Sequence, residues 1–458
     1  MSPLDAVIGI DLGTTCTKVL VQDVNGRQLS LVEARTPWTT TAGCGTETTA
    51  AALSGCIVGL LRTALGKAQA ASGDIRVLGL GVAGLAESGV LLDGSGRPCT
   101  PVIAWFDRRG EEQVARVRLR HPDFDRIFVR RTGLPWDSQA SVAKLMWFAD
   151  QGLITTAAHR WLSVPEYVVH LLGGKLVSEP SLASRTGLLD QASRRVWSDG
   201  AAVLGLATTL LPEPCPSGTS AGPLCFGGLP SSLQGAALTV AGHDHPVAAI
   251  GAGATGADEL FNSTGTADVI ARSLPGQLTD DQREQLVGHG ISAGSHLLHG
   301  ATLLLGGARG GLLLRRVLGL LDATDDASRD RLDAAALEVG PLPPGLELSG
   351  GGPTGDDVIL RVRDDASPPA VWAAATRYTA TQTRSLLNTL HRVVPPHRRA
   401  VASGGWTRMA SVRRAKAAVI DHLEFSVVPE PGVAGAATLA LEAASVSVAT
   451  PSVCASHI

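Results

Sequence analysis

Short β-branched runs and longer stretches of helical spacing alternate along the 458-residue chain. Ala6–Ile10 is an apolar run of strand length, ending at Asp11-Leu12-Gly13-Thr14-Thr15-Cys16-Thr17-Lys18. A second run, Val19–Val21, leads to Asp23-Val24-Asn25-Gly26, and Asn-Gly between two strand-like runs is a strong hairpin signal. A third strand is expected from Arg27 to Ala34. This opening of strand, turn, strand, turn, strand differs from the strand–loop–helix order of a Walker-type or dinucleotide-binding loop.

Residues 48–70 place Leu53, Ile57, Leu60, Leu61 and Leu65 at helical spacing. Val77–Val82 and Val90–Leu92 read as strands. Residues 140–172 read as helical with a break near Leu162–Pro165, and 212–235, rich in Pro, Gly and Ser, as loop. Ala237–Ala241 is a strand entering Gly242-His243-Asp244-His245-Pro246. A second unit then repeats the opening: Glu259–Asn262, the small-residue turn Ser263-Thr264-Gly265-Thr266-Ala267, and Val269-Ile270. Helical patterns cover 299–321, 370–394 and 433–444; Arg363–Pro369 reads as loop, and Val401–Gly405 as a strand opening into a glycine turn. Strands alternating with helices predict an α/β protein whose halves share one plan.

The length predicts two or three domains, and 44% hydrophobic against 18% charged residues excludes a mostly disordered chain. A net charge of −3 excludes a strongly basic nucleic-acid binder, so an anionic ligand must be held by local groups. Seven scattered cysteines without a Cys-x-x-Cys pair point to neither a zinc site nor a redox dithiol. Asp5 and Asp11 interrupt the N-terminal apolar run, and Arg309 and Arg315 break Leu303–Leu321. No signal peptide or membrane span is therefore expected, and the protein reads as soluble and cytoplasmic.

Five constellations can carry chemistry. In the first turn, Gly13 permits close backbone approach, Thr14, Thr15 and Thr17 offer donors, and Lys18 offers charge. Asp11 would then face Mg²⁺. An ordinary polar hairpin is the alternative. Ser263–Thr266 repeats that chemistry, although Thr/Gly turns are common. Asp244, between His243 and His245, fits a metal ligand, a general base or a helix N-cap. Gly404-Gly405 could let an aromatic base lie flat on the backbone, or form a plain turn. Trp105-Phe106-Asp107-Arg108-Arg109 could bind a polyol, or be an Asp–Arg pair capping the next helix.

Together these blocks resemble the FGGY family of carbohydrate kinases, within the actin-like ATPase superfamily. Ile8–Lys18 is similar to the first phosphate turn, and Asp93-Gly94-x-Gly96-x-Pro98 with Pro101 and Trp105-x-Asp107-x-Arg109 to the sugar-domain signature. Thr132-Gly133-Leu134-Pro135 with Lys144 and Trp147 matches a further block. Gly242-x-Asp244 resembles the block of the catalytic Asp, Ser263–Ala267 the second phosphate turn, and Gly306-Gly307-Ala308 and Ser403-Gly404-Gly405 the adenosine region. Gly432-x-x-Gly435-Ala436-Ala437 resembles the closing helix. The resemblance implies two actin-like (ribonuclease H-like) α/β domains, 1–246 for sugar and 247–458 for nucleotide, each a mixed sheet flanked by helices, with a cleft between. It implies transfer of phosphate from Mg-ATP to a sugar or sugar-alcohol hydroxyl, with Asp244 as base and Asp11 at the metal. Gly13, Thr14, Thr15, Lys18, Thr264, Gly265, Thr266, Gly307, Gly404 and Gly405 would contact ATP. Glu87, Trp105, Asp107, Gln139, His243 and His245 would face the acceptor.

Several positions depart from the pattern. Lys18 stands where glycerol-phosphorylating members have Arg, and Met409 where an adenine-contacting Asn is often found. At the sugar-selecting strand end, Gly81–Gly89 carries Ala86-Glu87 where those members have Arg-Glu. Gln139 replaces a substrate-contacting Tyr. The acceptor is therefore not named by the sequence. A weakly catalytic sugar or nucleotide sensor, or a kinase of a non-sugar polyol, stays open, as does a homo-oligomer. No nucleic-acid or membrane partner is expected.

Overall fold

The computed structural model describes residues 3–447, apart from 42, 44, 155, 266, 351–357 and 364. Two six-stranded mixed sheets organise the chain. The first is built from β1 (Leu4–Leu12), β2 (Cys16–Asp23), β3 (Gln28–Arg35), β4 (Ile75–Gly84), β5 (Gly222–Pro223) and β6 (Ala237–His243), in the order β5-β6-β4-β1-β2-β3. The second uses β7 (Glu259–Thr264), β8 (Asp268–Pro275), β9 (Ile291–Ser295), β10 (Ala301–Ala308), β11 (Arg399–Ser403) and β12 (Leu423–Phe425), in the order β9-β10-β8-β7-β11-β12. Each sheet opens with an antiparallel hairpin whose first strand then pairs in parallel with a later one, β1 with β4 and β7 with β11. The duplicated plan read from the two Thr/Gly turns is therefore present in the strand order.

The helices that matter here are α1 (Ala50–Ser72), α2 (Pro180–Ala183), α3 (Asp244–Gly251), α4 (Gly310–Leu320), α5 (Pro368–Val393), α6 (Ala410–Ala417) and α7 (Pro431–Ser447). The unbroken apolar character of β1 follows from burial on both faces. Ile8 and Ile10 pack with Leu53, Ile57 and Leu61 of α1, while Val7 meets Val433, Ala437 and Ala440 of α7. By length and composition α1 is apolar enough to cross a membrane, which corrects the expectation that no such segment exists. Its Leu53, Ile57, Leu61 and Leu65 are nonetheless buried within the core of the first sheet.

The last helix returns to the first half of the chain. α7 lies directly on β1 and β4 because the strands present glycine there. A Cβ built at Gly9 or Gly81 would overlap the carbonyl oxygen of Val433 or Ala436, and one at Gly435 would overlap that of Val247 in α3. Within the span 247–458, α3 and α7 thus pack against the first sheet, and strands from β7 onward form the second. Gly81→Ala is expected to destabilise the protein by about 1–3 kcal/mol, since the backbone of α7 cannot yield as a flexible side chain would. A lowered urea midpoint with an unchanged slope checks this.

The helical reading of 299–321 is corrected in its first half, where Ala301–Ala308 is β10. A short buried apolar run looks alike in either state, and burial between β8 and β9 decided it. The break inside 140–172 also widens, with a strand at Arg160–Ser163 before the helix Val164–Leu171.

Candidate active site

A cavity of about 640 Å³ opens where the carboxyl ends of the strands of both sheets meet. Asp11 comes from the end of β1, Lys18 from β2, and Asp244 and His245 from the first turn of α3 after β6. Ser403, Gly404 and Gly405 come from the end of β11, and Glu430 and Gly432 flank the start of α7. This is where open α/β sheets generally place ligands. Asp11 and Asp244, some 230 residues apart in the chain, thus share one crevice.

Asp244 is the first residue of α3, with His243 as N-cap. Its Oδ1 carries all its protein contacts: the His245 amide donates at 2.7 Å, His245 Nδ1 lies at 2.6 Å and His243 Nε2 at 3.2 Å. Oδ2 has no protein partner among the described residues. Burial would raise the carboxyl's pKa, but the charge of His245 and its hydrogen bonds outweigh it and hold Asp244 well below the usual carboxylate range. Burial opposes protonation of His245 too, and there the Asp244 charge wins and raises it. His243 is buried and pushed down to about 4, chiefly by desolvation, so it is neutral at pH 7. The three side chains could together hold a metal.

Asp11 is the opposite case. Burial, then repulsion from Asp244, lifts its carboxyl to about 7, and its Oδ1 is buried without a partner among the described residues. A Cβ at Gly432 would overlap Asp11 Oδ2, so the start of α7 closes against this carboxylate. An orphaned hard oxygen beside a second carboxylate suits Mg²⁺. The β1–β2 register sets Asp11 opposite Lys18. Lys18 Nζ is 2.6 Å from Glu430 and 3.8 Å from Glu33, so its charge is already partly matched.

The first turn is braced from behind. Thr36 Oγ1 donates to the Gly13 carbonyl at 2.7 Å, Trp38 Nε1 to the Thr14 carbonyl at 2.7 Å, and Trp105 Nε1 to Thr14 Oγ1 at 3.0 Å. Gly13, Thr14 and Thr15 form the β1–β2 hairpin tip beside the cavity, not its wall. In the second half, Thr264 Oγ1 donates to the Ser403 carbonyl at 2.8 Å. Gly404, at φ 121°, lies so close that a Cβ would sit 2.5 Å from the Thr264 carbonyl. Gly265 carries the same constraint from α4, since a Cβ at Gly311 would overlap its carbonyl. Gly307 lies in β10 opposite Val269, outside the cavity wall. Thr266 lies outside the described residues.

The residues expected at the acceptor divide. Glu87 adopts φ 42°, and its Oε1 pairs with Arg185 at 2.6 Å; its charge acts on both His243 and His245. Trp105 is half-buried against Thr14. Asp107 is committed elsewhere: it accepts from the Arg109 amide and guanidinium and from the Thr46 amide. The Asp–Arg pair is present, with Asp107 buried, but does not cap the next helix, Glu111–Arg120, whose N-cap Gly110 has no side-chain hydrogen bond; Arg109 reaches Thr46 and Glu47 as well. Gln139 is exposed, and its backbone serves Asp137 and Lys144. Lys144, pushed down to about 8 by burial, also donates to the Trp105 carbonyl at 3.1 Å and to Ser138.

Sequence reasoning missed Arg185, Glu430 and Arg413. Arg185 follows a stretch with no local motif, and Glu430 is marked only by the Pro-rich approach to the closing helix. Arg413 lines the cavity from α6 and stacks over Phe425 at 4.4 Å. Met409, flagged in the sequence, packs against the apolar cluster of α4 and α5 and does not line the cavity.

The family model described as FGGY family of carbohydrate kinases, N-terminal domain, matches residues 6–251. A glycerol kinase of Thermus brockianus is 30% identical over 299 residues, covering 61% of this chain and 57% of that one. A xylulose kinase of Streptomyces rubiginosus is 27% identical over 277 residues, covering 60% and 56%. The chain spans about half the length of the curated relatives it matches. Glycerol kinase of Plasmodium falciparum, solved with ADP, superposes at TM-score 0.85 and 17% identity, covering 98% of this chain and 91% of that one. That likeness establishes the fold: two α/β domains of actin-like type.

Proposed function

The chain belongs to the FGGY family of carbohydrate kinases, and from that premise we propose that it transfers the γ-phosphoryl group of ATP to a hydroxyl of a sugar or sugar alcohol. The observation that carries this reading is the shared crevice: an Asp244 carboxylate held ionised at its wall, with an orphaned Asp11 lining the same cavity. A sensor on this fold needs no base poised beside a metal-side carboxylate.

In this mechanism the acceptor hydroxyl binds against Asp244 Oδ2. Its oxygen attacks the γ-phosphorus, the bond from that phosphorus to the bridging oxygen breaks, and Asp244 takes the hydroxyl proton. Because Asp244 is a weak base in the ground state, the proton moves as the oxygen loses charge to phosphorus. His245 fixes Oδ1 and thereby aims Oδ2. Asp11 would hold Mg²⁺, which when bound neutralises charge on the phosphate oxygens. Gly13–Thr15, Lys18 and the Thr264–Thr266 turn would cradle the phosphates, with Gly307, Gly404 and Gly405 toward the adenosine. Trp105 and Glu87 would face the acceptor. Approach of the two halves excludes water, which otherwise competes as acceptor.

The direct test is ADP release from Mg-ATP across a panel of sugars and polyols. One class is expected to stimulate turnover well above the water-only rate; no stimulation on a wide panel sinks the reading. A second expectation concerns pH. Asp11 would need to be ionised to hold Mg²⁺, and burial lifts its carboxyl to about 7, so kcat/KM is expected to fall as pH drops through 7. A profile flat from about pH 5 to 8 would show that Asp11 does not govern turnover in this way.

A further inference from the structure

A second cavity, of about 770 Å³, lies away from Asp11 and Asp244. Its walls come from both halves of the chain: α2, the hairpin 189–196 and the loop 208–214 on one side, Ser295 and His299 beside β9 on the other. Three arginines line it, Arg160, Arg194 and Arg195. None of the three meets a carboxylate within ion-pair distance among the described residues. Among the described residues the Arg160 side chain donates only to the carbonyls of Ala157 and His159, both at 2.9 Å, and that of Arg194 only to the Ala301 carbonyl at 3.3 Å. The sole acidic residue in the wall is Glu213, so the cavity holds an excess of positive charge in a chain of net charge −3.

Arg194 adopts φ 56° in the turn of the 189–196 hairpin, with Arg195 the first residue of its second strand. Leu176, Leu189 and Leu211 line the cavity together with the hydroxyl-bearing Ser178, Thr208 and Ser295. Arginines beside hydroxyl and apolar side chains suit an organic anion with two or more charges, and the volume suits a metabolite of sugar-phosphate size.

We propose that this cavity is a second ligand site, binding a small organic polyanion such as a phosphorylated or polycarboxylated metabolite between the two halves of the chain. The site adjoins the catalytic strand: α2 contributes Pro180 and Ala183 to the wall, and Ser181 between them accepts the His243 amide at 3.0 Å. The proposal does not depend on the phosphoryl-transfer reading.

Isothermal titration of the full chain with glucose 6-phosphate, citrate and inorganic pyrophosphate tests it. At least one of the two organic anions is expected to bind saturably, more weakly as salt is raised. The double variant Arg160→Ser with Arg195→Ser, checked for an unchanged melting temperature, is expected to weaken binding by about tenfold or more. Saturating ATP is expected to leave it intact. Should that pair unfold the protein, Arg195→Ser alone is read the same way. Absence of binding at millimolar ligand, equal binding by the variant, or displacement by ATP overturns the proposal. Binding of pyrophosphate but of neither organic anion overturns it as well, because the leucines of the wall would then have no role.

Discussion

Asp244→Asn is expected to lower kcat by about 10²–10⁴-fold while KM for ATP and acceptor stays within a few-fold of wild type. That loss corresponds to about 3–5 kcal/mol of barrier, the share a positioned general base supplies. The split between kcat and KM is the informative part. A proton acceptor works as the hydroxyl oxygen bonds to phosphorus, so its removal raises the barrier without weakening ground-state binding. Asparagine preserves Oδ1 as an acceptor for the His245 amide, which lies 2.7 Å away. Asp244→Ala would also strand His245 and open space at the start of α3, mixing chemistry with packing. Steady-state kinetics with a stimulating acceptor, alongside circular dichroism, makes the measurement. A kcat within tenfold of wild type would remove Asp244 from the role of base.

Much of the fold and part of the site were legible in the residues, for different reasons. The hairpin Asp23–Gly26 and the two Thr/Gly turns were readable because turn chemistry is local. Asp11 and Asp244 were readable because each closes an unmistakable strand. The strand Ala301–Ala308 was not, since a run buried between two neighbours loses the alternation that marks a half-exposed strand. The return of α7 to the first sheet was written only as glycines, Gly9, Gly79 and Gly81, whose purpose appears once a helix lies across them.

The charged partners were the hardest to foresee. Asp107 looked like a sugar ligand and is spent on Arg109 and Thr46, while Glu87 is paired with Arg185, nearly a hundred residues away. Lys18 meets Glu430 across the length of the chain. Ion pairs of long sequence separation leave no periodic trace, so sequence alone names the candidate groups without naming what they hold.

Asp11→Asn is expected to uncouple stability from activity. Burial, and next the charge of Asp244, lifts the Asp11 carboxyl from 3.8 to about 7. The folded state therefore holds this proton more tightly than the unfolded chain. The associated stability is fully present below pH 4 and is lost as pH rises through 7. At pH 8 the displacement amounts to about 4 kcal/mol, at ~1.36 kcal/mol per unit. An amide at this position escapes that cost, so the variant is expected to melt above wild type at pH 8 and to converge with it toward pH 4. Mg²⁺ should raise the wild-type melting temperature, by about 2.7 kcal/mol of stability at a hundredfold excess over its dissociation constant, because it binds only the folded site. The variant should show little of that rise and should lose at least about tenfold to a hundredfold in kcat/KM at fixed Mg²⁺. Differential scanning fluorimetry over pH and Mg²⁺ reads both effects. Equal Mg²⁺ shifts in the two proteins would take the metal away from Asp11, and equal melting at pH 8 would mean its carboxylate is not the strained, desolvated group that the crevice describes.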